Sequence, residues 1–168
     1  LLRRSADQLI ASGADEVVII TRPNDPARNK AVNGLNAHLI ENPLSTEGMG
    51  ASLRAAMTAI SPDADAVLIA LADMPDLTGA DHAALIAAFD PNEGREIVRA
   101  TSPEGTPGNP VLFGRRFFES LRMLEGDEGA RHILAAHADL IRFVPVAGAA
   151  VDLDAPEDWA AWRKNKNV

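Results

Sequence analysis

Residues 67–75 read Val67-Leu68-Ile69-Ala70-Leu71-Ala72-Asp73-Met74-Pro75. Six apolar residues run without a break, a carboxylate follows, and a proline stops the pattern. An uninterrupted apolar run of this length reads as a strand covered on both faces, the kind found in α/β proteins. Pro75 cannot continue a central strand, because it has no N–H for the ladder. The stretch therefore predicts a buried central strand that delivers Asp73 to its carboxyl end. An aspartate is rarely buried unless it is paired, hydrogen-bonded or bound to a metal. Either Asp73 satisfies backbone donors of its own turn, or it meets a ligand at the edge of the sheet, where ligands of open α/β folds sit.

The segments on either side support the same class. Residues 1–12 carry Leu2, Ala6, Leu9 and Ile10 at helical spacing, with Gly13 as the stop. Residues 16–21 read as a buried strand, and the prolines and polar residues at 23–26 read as a loop. Leu39-Ile40 suggests a short strand, and a helix is expected from Ser52 to Ile60 after the glycines at 48 and 50. Thr78 and Asp81 form a capping-box pattern ahead of a helix over 79–89. Strands are expected at 97–100, 111–113 and 140–146, and short helices at 117–124 and 128–138, the latter capped by Asp127. Residues 101–110 read as a Gly/Pro loop. Pro156 takes the favoured first position of a last helix. The pattern predicts one α/β domain over residues 1–168, three layers deep, around a mainly parallel mixed sheet.

Composition bounds the partners. In 168 residues there are 24 acidic and 16 basic side chains, a net charge of -8. That balance argues against a bulk nucleic-acid binder, while a small phosphorylated substrate needs only a few local cations. With no cysteine, disulfides, thiolate zinc and iron–sulfur clusters are excluded, and a reducing cytoplasm is the expected compartment. No apolar run reaches the roughly 18 residues of a membrane span.

Several stretches carry chemical content. Asp152-Leu153-Asp154-Ala155-Pro156-Glu157-Asp158 is acidic. Alternation places Asp152 and Asp154 on one side of an extended segment. Glu157 and Asp158 suit a helix N-terminus, whereas Asp154 could cap or bind. Two carboxylates from separate strand ends suit Mg²⁺, which takes oxygen ligands alongside substrate phosphates. Glu47-Gly48-Met49-Gly50-Ala51-Ser52 is a glycine turn running into a helix, with backbone accessible to a ligand, but it is not a Walker sequence. Gly105-Thr106-Pro107-Gly108-Asn109-Pro110 is a shaped loop in which Asn109 offers both donor and acceptor. Gly126-Asp127-Glu128-Gly129-Ala130-Arg131 is a loop whose Arg131 could hold an anion. His132 and His137 are five apart, poor spacing for shared metal ligation on one helix face.

Taken together, EGMGASL at 47–53, LADMP at 71–75, GTPGNPVLF at 105–113, GDEGAR at 126–131 and DLDAPED at 152–158 resemble the MobA-like nucleotidyltransferases. Within that family the chain is most similar to the MocA type, the molybdenum cofactor cytidylyltransferases. The resemblance implies a Rossmann-like domain that transfers a nucleoside monophosphate, CMP from CTP, to a phosphorylated acceptor of the molybdopterin type and releases pyrophosphate. It further implies Mg²⁺ held by Asp73 and Asp154. Gly50, Ala51 and Ser52 match the loop around the nucleotide base, and Gly108, Asn109 and Pro110 the acceptor-side loop, with Arg131 beside the acceptor phosphate.

The chain departs from the family pattern in three places. Asn109 stands where the family usually has His, which puts the acceptor in question. Ala155 stands where it usually has Thr, removing a capping hydroxyl. The family also opens with a strand and a glycine-rich loop that hold the triphosphate, whereas this sequence opens at Leu1-Leu2-Arg3-Arg4, similar to the helix that follows them. The expectation is therefore a nucleotidyltransferase domain whose first strand and loop lie outside these residues; a chain complete as it stands would show little transferase activity. Rival readings are a relative using GTP or another acceptor, and a non-catalytic nucleotide-binding partner in molybdoenzyme maturation.

Overall fold

The computed structural model describes residues 1–93, 95–127, 129–150 and 156–166. Its strands are β1 (Val18–Thr21), β2 (His38–Glu41), β3 (Ala66–Ile69), β4 (Ile97–Thr101), β5 (Pro107–Gly114) and β6 (Ile141–Pro145). β1 and β2 pair in parallel, Val18 opposite His38. The other four form one sheet in the order β3-β5-β4-β6. β5 runs antiparallel to both neighbours, and β4 and β6 are parallel. Thus β3, β4 and β6 point one way and β5 alone points back, the mixed sheet that the tight spacing around residues 101–113 allows.

Side-chain alternation splits this sheet into two cores. Ile97, Val111 and Phe113 point to one face and pack with Met57, Phe117, Leu121, Leu124 and Ile133. These belong to α3 (Met49–Met57), α5 (Phe118–Arg122) with the turns on either side of it, and α6 (Arg131–Ala136). Val98, Ala100 and Leu112 point to the other face, against Leu85 of α4 (Gly79–Ala88) and Met74, Leu77 and Val146. Helix–sheet–helix is the expected three-layer arrangement. Leu85 is fully buried, and a side chain so placed contributes about 1.5–3 kcal/mol through burial. A third cluster, Ala6, Val17, Ile19 and Val32, joins β1 to α1 (Leu2–Ile10) and α2 (Pro26–Val32).

Contacts of α3 with β1 and α5, and of α1 with α4, link the two sheets. Gly79 makes the second crossing possible. A Cβ there would lie 3.0 Å from the Ala11 Cβ, and the Gly79 N–H donates to the Gln8 side chain at 2.7 Å. The capping box is present: Thr78 Oγ1 accepts from Asp81 N, and Asp81 Oδ2 accepts from Thr78 N at 2.9 Å. α7 (Pro156–Lys166) begins at its proline as expected. No helix among the described residues is long and apolar enough to cross a membrane.

The structure corrects the sequence reading in several places. Among the described residues β3 lies at one end of its sheet, not at its centre, and is half-buried throughout. An apolar run reports cover on the faces of a strand, not on its flanks, and the fully buried runs are those of β4 and β5. The polar loop expected after β1 instead contains α2. Asp25 caps it, accepting from Arg28 N at 3.0 Å, and Pro26 opens it; both residues also read as turn formers. α3 starts at Met49 and ends at Met57, three residues ahead of the expected span at both ends. β4 runs through Thr101 and β5 starts at Pro107, so the expected loop over 101–110 shrinks to 102–106. α6 starts at Arg131 with Ala130 as its cap, so Asp127 does not cap it. The acidic segment with Asp152 and Asp154 lies outside the described residues.

Candidate functional site

The turn after β3 presents Asp73. Ala72 is exposed, Asp73 is half-buried, and Met74, Pro75 and Leu77 are buried. Met74 and Leu77 plug into the core beneath α4, so the carboxylate sits on a short turn pinned by apolar anchors. Its Oδ1 is shielded from solvent. This is the carboxyl end of a strand, the expected location.

Two further segments close on this turn. Following β6, the backbone makes a 3-10 turn at Ala147–Ala150. A Cβ on Gly148 would lie 2.7 Å from the carbonyl of Asp76 and from the Leu77 nitrogen. A Cβ on Gly108, in β5, would lie 2.8 Å from the Ala149 oxygen. Backbone meets backbone at both points, which only glycine permits. The Asp73 turn, the 147–150 turn and the 107–110 end of β5 are thereby locked together. α7 is tied to the same place: Trp162 Nε1 donates to Asp76 Oδ1 at 3.0 Å, and the Arg4 guanidinium lies 5.7 Å from the Trp162 ring centroid.

A second junction joins two of the glycine motifs. Gly50 N donates to Gly126 O at 2.9 Å. A Cβ on Gly50 would stand 2.9 Å from that oxygen. Gly129 faces the Met49 sulfur, and Gly48 has φ 106°, with Asp127 Oδ1 and the Gly126 backbone over it. Arg54 pairs with Glu47 at 3.3 Å and donates to the Leu124 carbonyl. Gly50, Ala51 and Ser52 are therefore the first turn of α3, not a loop. Gly50 and Ala51 are buried, and the Gly50 amide is occupied by Gly126. Of the three, Ser52 is half-buried, and exposed Met49 stands beside them.

Gly108, Asn109 and Pro110 likewise form the start of a strand, with a cis peptide between Asn109 and Pro110. Arg99, in β4, donates from Nε to Gly108 O at 3.0 Å. Burial, and then the nearby positive charge of Arg131, hold the Arg99 pKa below its ordinary value. The structure so ties Arg99 to Gly108, and Gly108 to the Asp73 turn through Ala149, while exposed Arg131 opens α6. Gly50–Ser52 dock instead on the Glu125–Gly126 backbone, the second junction. Asp154 lies outside the described residues, two positions before α7.

Arg99, Gly148 and Trp162 are absent from the sequence-based candidates. The signal for Arg99 was one cation inside the apolar strand Ile97-Val98-Arg99-Ala100. For Gly148 and Trp162 the sequence carries none, because their roles depend on long-range contacts.

The family model for the MobA-like NTP transferase domain matches residues 1–140. Purine catabolism protein PucB of Bacillus subtilis (strain 168) is 31% identical over 122 residues, which span 70% of this chain and 57% of that protein. The chain thus covers little more than half the length of this curated relative. Among solved structures, Rv0371c from Mycobacterium tuberculosis H37Rv superposes with a TM-score of 0.79 at 24% identity, covering 97% of this chain and 83% of its own. The same protein in complex with manganese gives 0.76 at 23% identity, covering 95% and 84%. The 4-diphosphocytidyl-2C-methyl-D-erythritol synthase of Anaerococcus prevotii gives 0.79 at 12% identity, covering 99% and 86%. At these identities the superpositions establish the fold.

Proposed function

The chain belongs to the MobA-like NTP transferase domain family, and on that premise we propose that it transfers CMP from CTP to a phosphorylated acceptor of the molybdopterin type, releasing pyrophosphate. Residues 1–168 act as one nucleotidyltransferase domain in this reading. The observation that carries it is the Asp73 carboxylate, held half-buried at the end of β3 on a turn pinned by Met74 and Leu77 and abutted by Gly148.

A carboxylate fixed in this way suits a hard divalent cation, which prefers oxygen donors. Asp73 and Asp154 would hold Mg²⁺, and a manganese complex of Rv0371c accords with a divalent ion. When bound, the ion neutralises charge developing on the transferred phosphoryl group. The chain's own work is placement. Gly108–Pro110 and Arg131 bind the acceptor, whose phosphate oxygen attacks the α-phosphorus in line. The bond from the α-phosphorus to the bridging oxygen breaks, and pyrophosphate leaves. No protein nucleophile is required. The α3 start, with Gly50, Ala51 and Ser52, borders the base.

Asn109 in place of the family's usual His favours one second reading: the same transfer to a different phosphorylated acceptor, or from GTP. A panel of nucleoside triphosphates with Mg²⁺ and molybdopterin-type acceptors, read as pyrophosphate release, tests both. CTP with the molybdenum-loaded acceptor should give the fastest release. Pyrophosphate release from no triphosphate with any acceptor would sink the transferase reading.

A further inference from the structure

α7 holds its place with almost no core. Between Asp158 and Lys164, Trp159 and Trp162 are half-buried and every other residue is exposed. No described α7 residue belongs to the three apolar clusters. What fixes the helix is a small set of directional contacts, and they converge on Trp162. Its Nε1 donates to Asp76 Oδ1 at 3.0 Å, and an N–H bond to a carboxylate is stronger than one between neutral groups. Its ring lies 5.7 Å from the Arg4 guanidinium of α1, within cation–π range. Trp159, one turn earlier, meets it edge to face at 6.0 Å between ring centroids. One hydrogen bond alone would let the helix swivel; the contacts on the ring's face and edge fix its direction.

The post to which Trp162 is tied is held from several sides. Asp76 follows buried Met74 and Pro75 and precedes buried Leu77. Gly148 abuts its backbone, where a Cβ would lie 2.7 Å from the Asp76 carbonyl. Asp73 stands three residues earlier on the same turn. At the other end of the tie, Trp162 lies six residues from Pro156, about 9 Å along the helix. Asp154 precedes Pro156 by two residues, at most about 8 Å of chain. Trp162 so couples the turn bearing one carboxylate to the helix that follows the other. Two ligands from separate segments serve one ion only when those segments keep register to within about 0.5 Å.

We propose that Trp162 is a positioning residue of the metal site. Its indole N–H, bonded to Asp76, registers α7 against the Asp73 turn and thereby sets the spacing of Asp73 and Asp154 for a divalent cation. This rests on the reading of those two carboxylates as metal ligands, while the tie between α7 and the turn stands on the hydrogen bond itself. Trp162 acts through Asp76, not through contact with the ion. The aromatic ring alone does not suffice, because it is the N–H that reaches the Asp76 oxygen.

The test is titration of the protein with Mn²⁺ alone, without nucleotide or acceptor, read from the electron paramagnetic resonance signal of the free ion. The wild type should bind. Trp162→Phe keeps an aromatic ring and loses the donor; its Mn²⁺ affinity should fall at least about tenfold, with the helical circular-dichroism signal retained. Asp76→Ala should lose as much, and the double variant no more than either alone. Asp76→Asn keeps an acceptor oxygen for the indole and should bind Mn²⁺ nearly as the wild type does. The proposal is overturned by equal Mn²⁺ affinity in the wild type and Trp162→Phe, or by additive losses in the double variant. It is also overturned if Asp76→Asn loses as much affinity as Asp76→Ala, which would make Asp76 itself a ligand. Each of these results requires Mn²⁺ binding by the wild type, so each counts against the role of Trp162 and not against a metal site. Absence of Mn²⁺ binding to the wild type would overturn the metal reading and this proposal with it.

Discussion

Gly48→Ala probes the junction between the α3 start and the 125–129 loop. Gly48 has φ 106° and ψ -173°, a region essentially limited to glycine, where another residue costs about 1–3 kcal/mol. The added Cβ would also lie 2.8 Å from the Gly126 carbonyl carbon and oxygen. Backbone cannot rotate away as a side chain can, and such overpacking costs about 1–3 kcal/mol. Together the effects predict a loss of roughly 2–6 kcal/mol. For a chain of this size each kcal/mol lowers Tm by about 2–4 °C, so a fall of roughly 5–20 °C is expected by circular dichroism. Gly13→Ala is the control: its φ is 84°, but nothing lies within 4 Å of its Cβ, so it carries only the conformational cost. Replacing Asp127 with Ala should not rescue Gly48→Ala, because the clash with the Gly126 backbone persists. Equal melting temperatures for Gly48→Ala and Gly13→Ala would refute the close docking of the two motifs.

Three further outcomes are expected. Gly148→Ala places a Cβ 2.7 Å from the Asp76 and Leu77 backbone, so it must shift the Asp73 turn; pyrophosphate release should fall by about 10–100-fold, and unchanged kinetics would show that the turn is not positioned there. His82 is buried in α4, and burial lowers its pKa below 6.5, partly offset by Asp81 and the Thr78 backbone. The unfolded chain therefore takes up this proton first as pH falls; the stabilising contribution is complete above about 6.5 and declines below it. Urea melts of His82→Leu from neutral to mildly acidic pH should show a flatter profile than the wild type. Thr78→Ala removes one half of the α4 capping box and should cost about 1 kcal/mol, a Tm decrease of about 2–4 °C by calorimetry.

What could be read from the sequence follows the range of the forces involved. Local patterns were legible: the apolar runs of β4 and β6, the Thr78–Asp81 cap, and Pro156 at the head of α7. The place of Asp73 was legible, because an apolar run followed by a carboxylate and a proline puts that carboxylate at the carboxyl end of a strand. α2 was hidden because Asp25 and Pro26 form turns as readily as they open helices. The glycines at 48, 50 and 108 read as parts of two ligand-facing loops, yet two lie in regular elements and all three admit a neighbouring backbone. Such close approaches join residues far apart in the chain, such as Gly148 with Asp76, and leave no periodic trace. Arg99 was visible as an odd residue in an apolar strand, but its bond to the Gly108 carbonyl joins two strands whose pairing the sequence does not show.

The central claim is that Asp73 serves a metal-dependent nucleotidyl transfer. Its most direct test is pyrophosphate release with CTP, acceptor and Mg²⁺, comparing the wild type with Asp73→Asn, a near-isosteric change that removes the charge. The account predicts Mg²⁺-dependent release that falls by about 10²–10³-fold in the variant, about 3–4 kcal/mol of transition-state stabilisation, with the fold retained by circular dichroism. Undiminished release by a folded Asp73→Asn protein would contradict it.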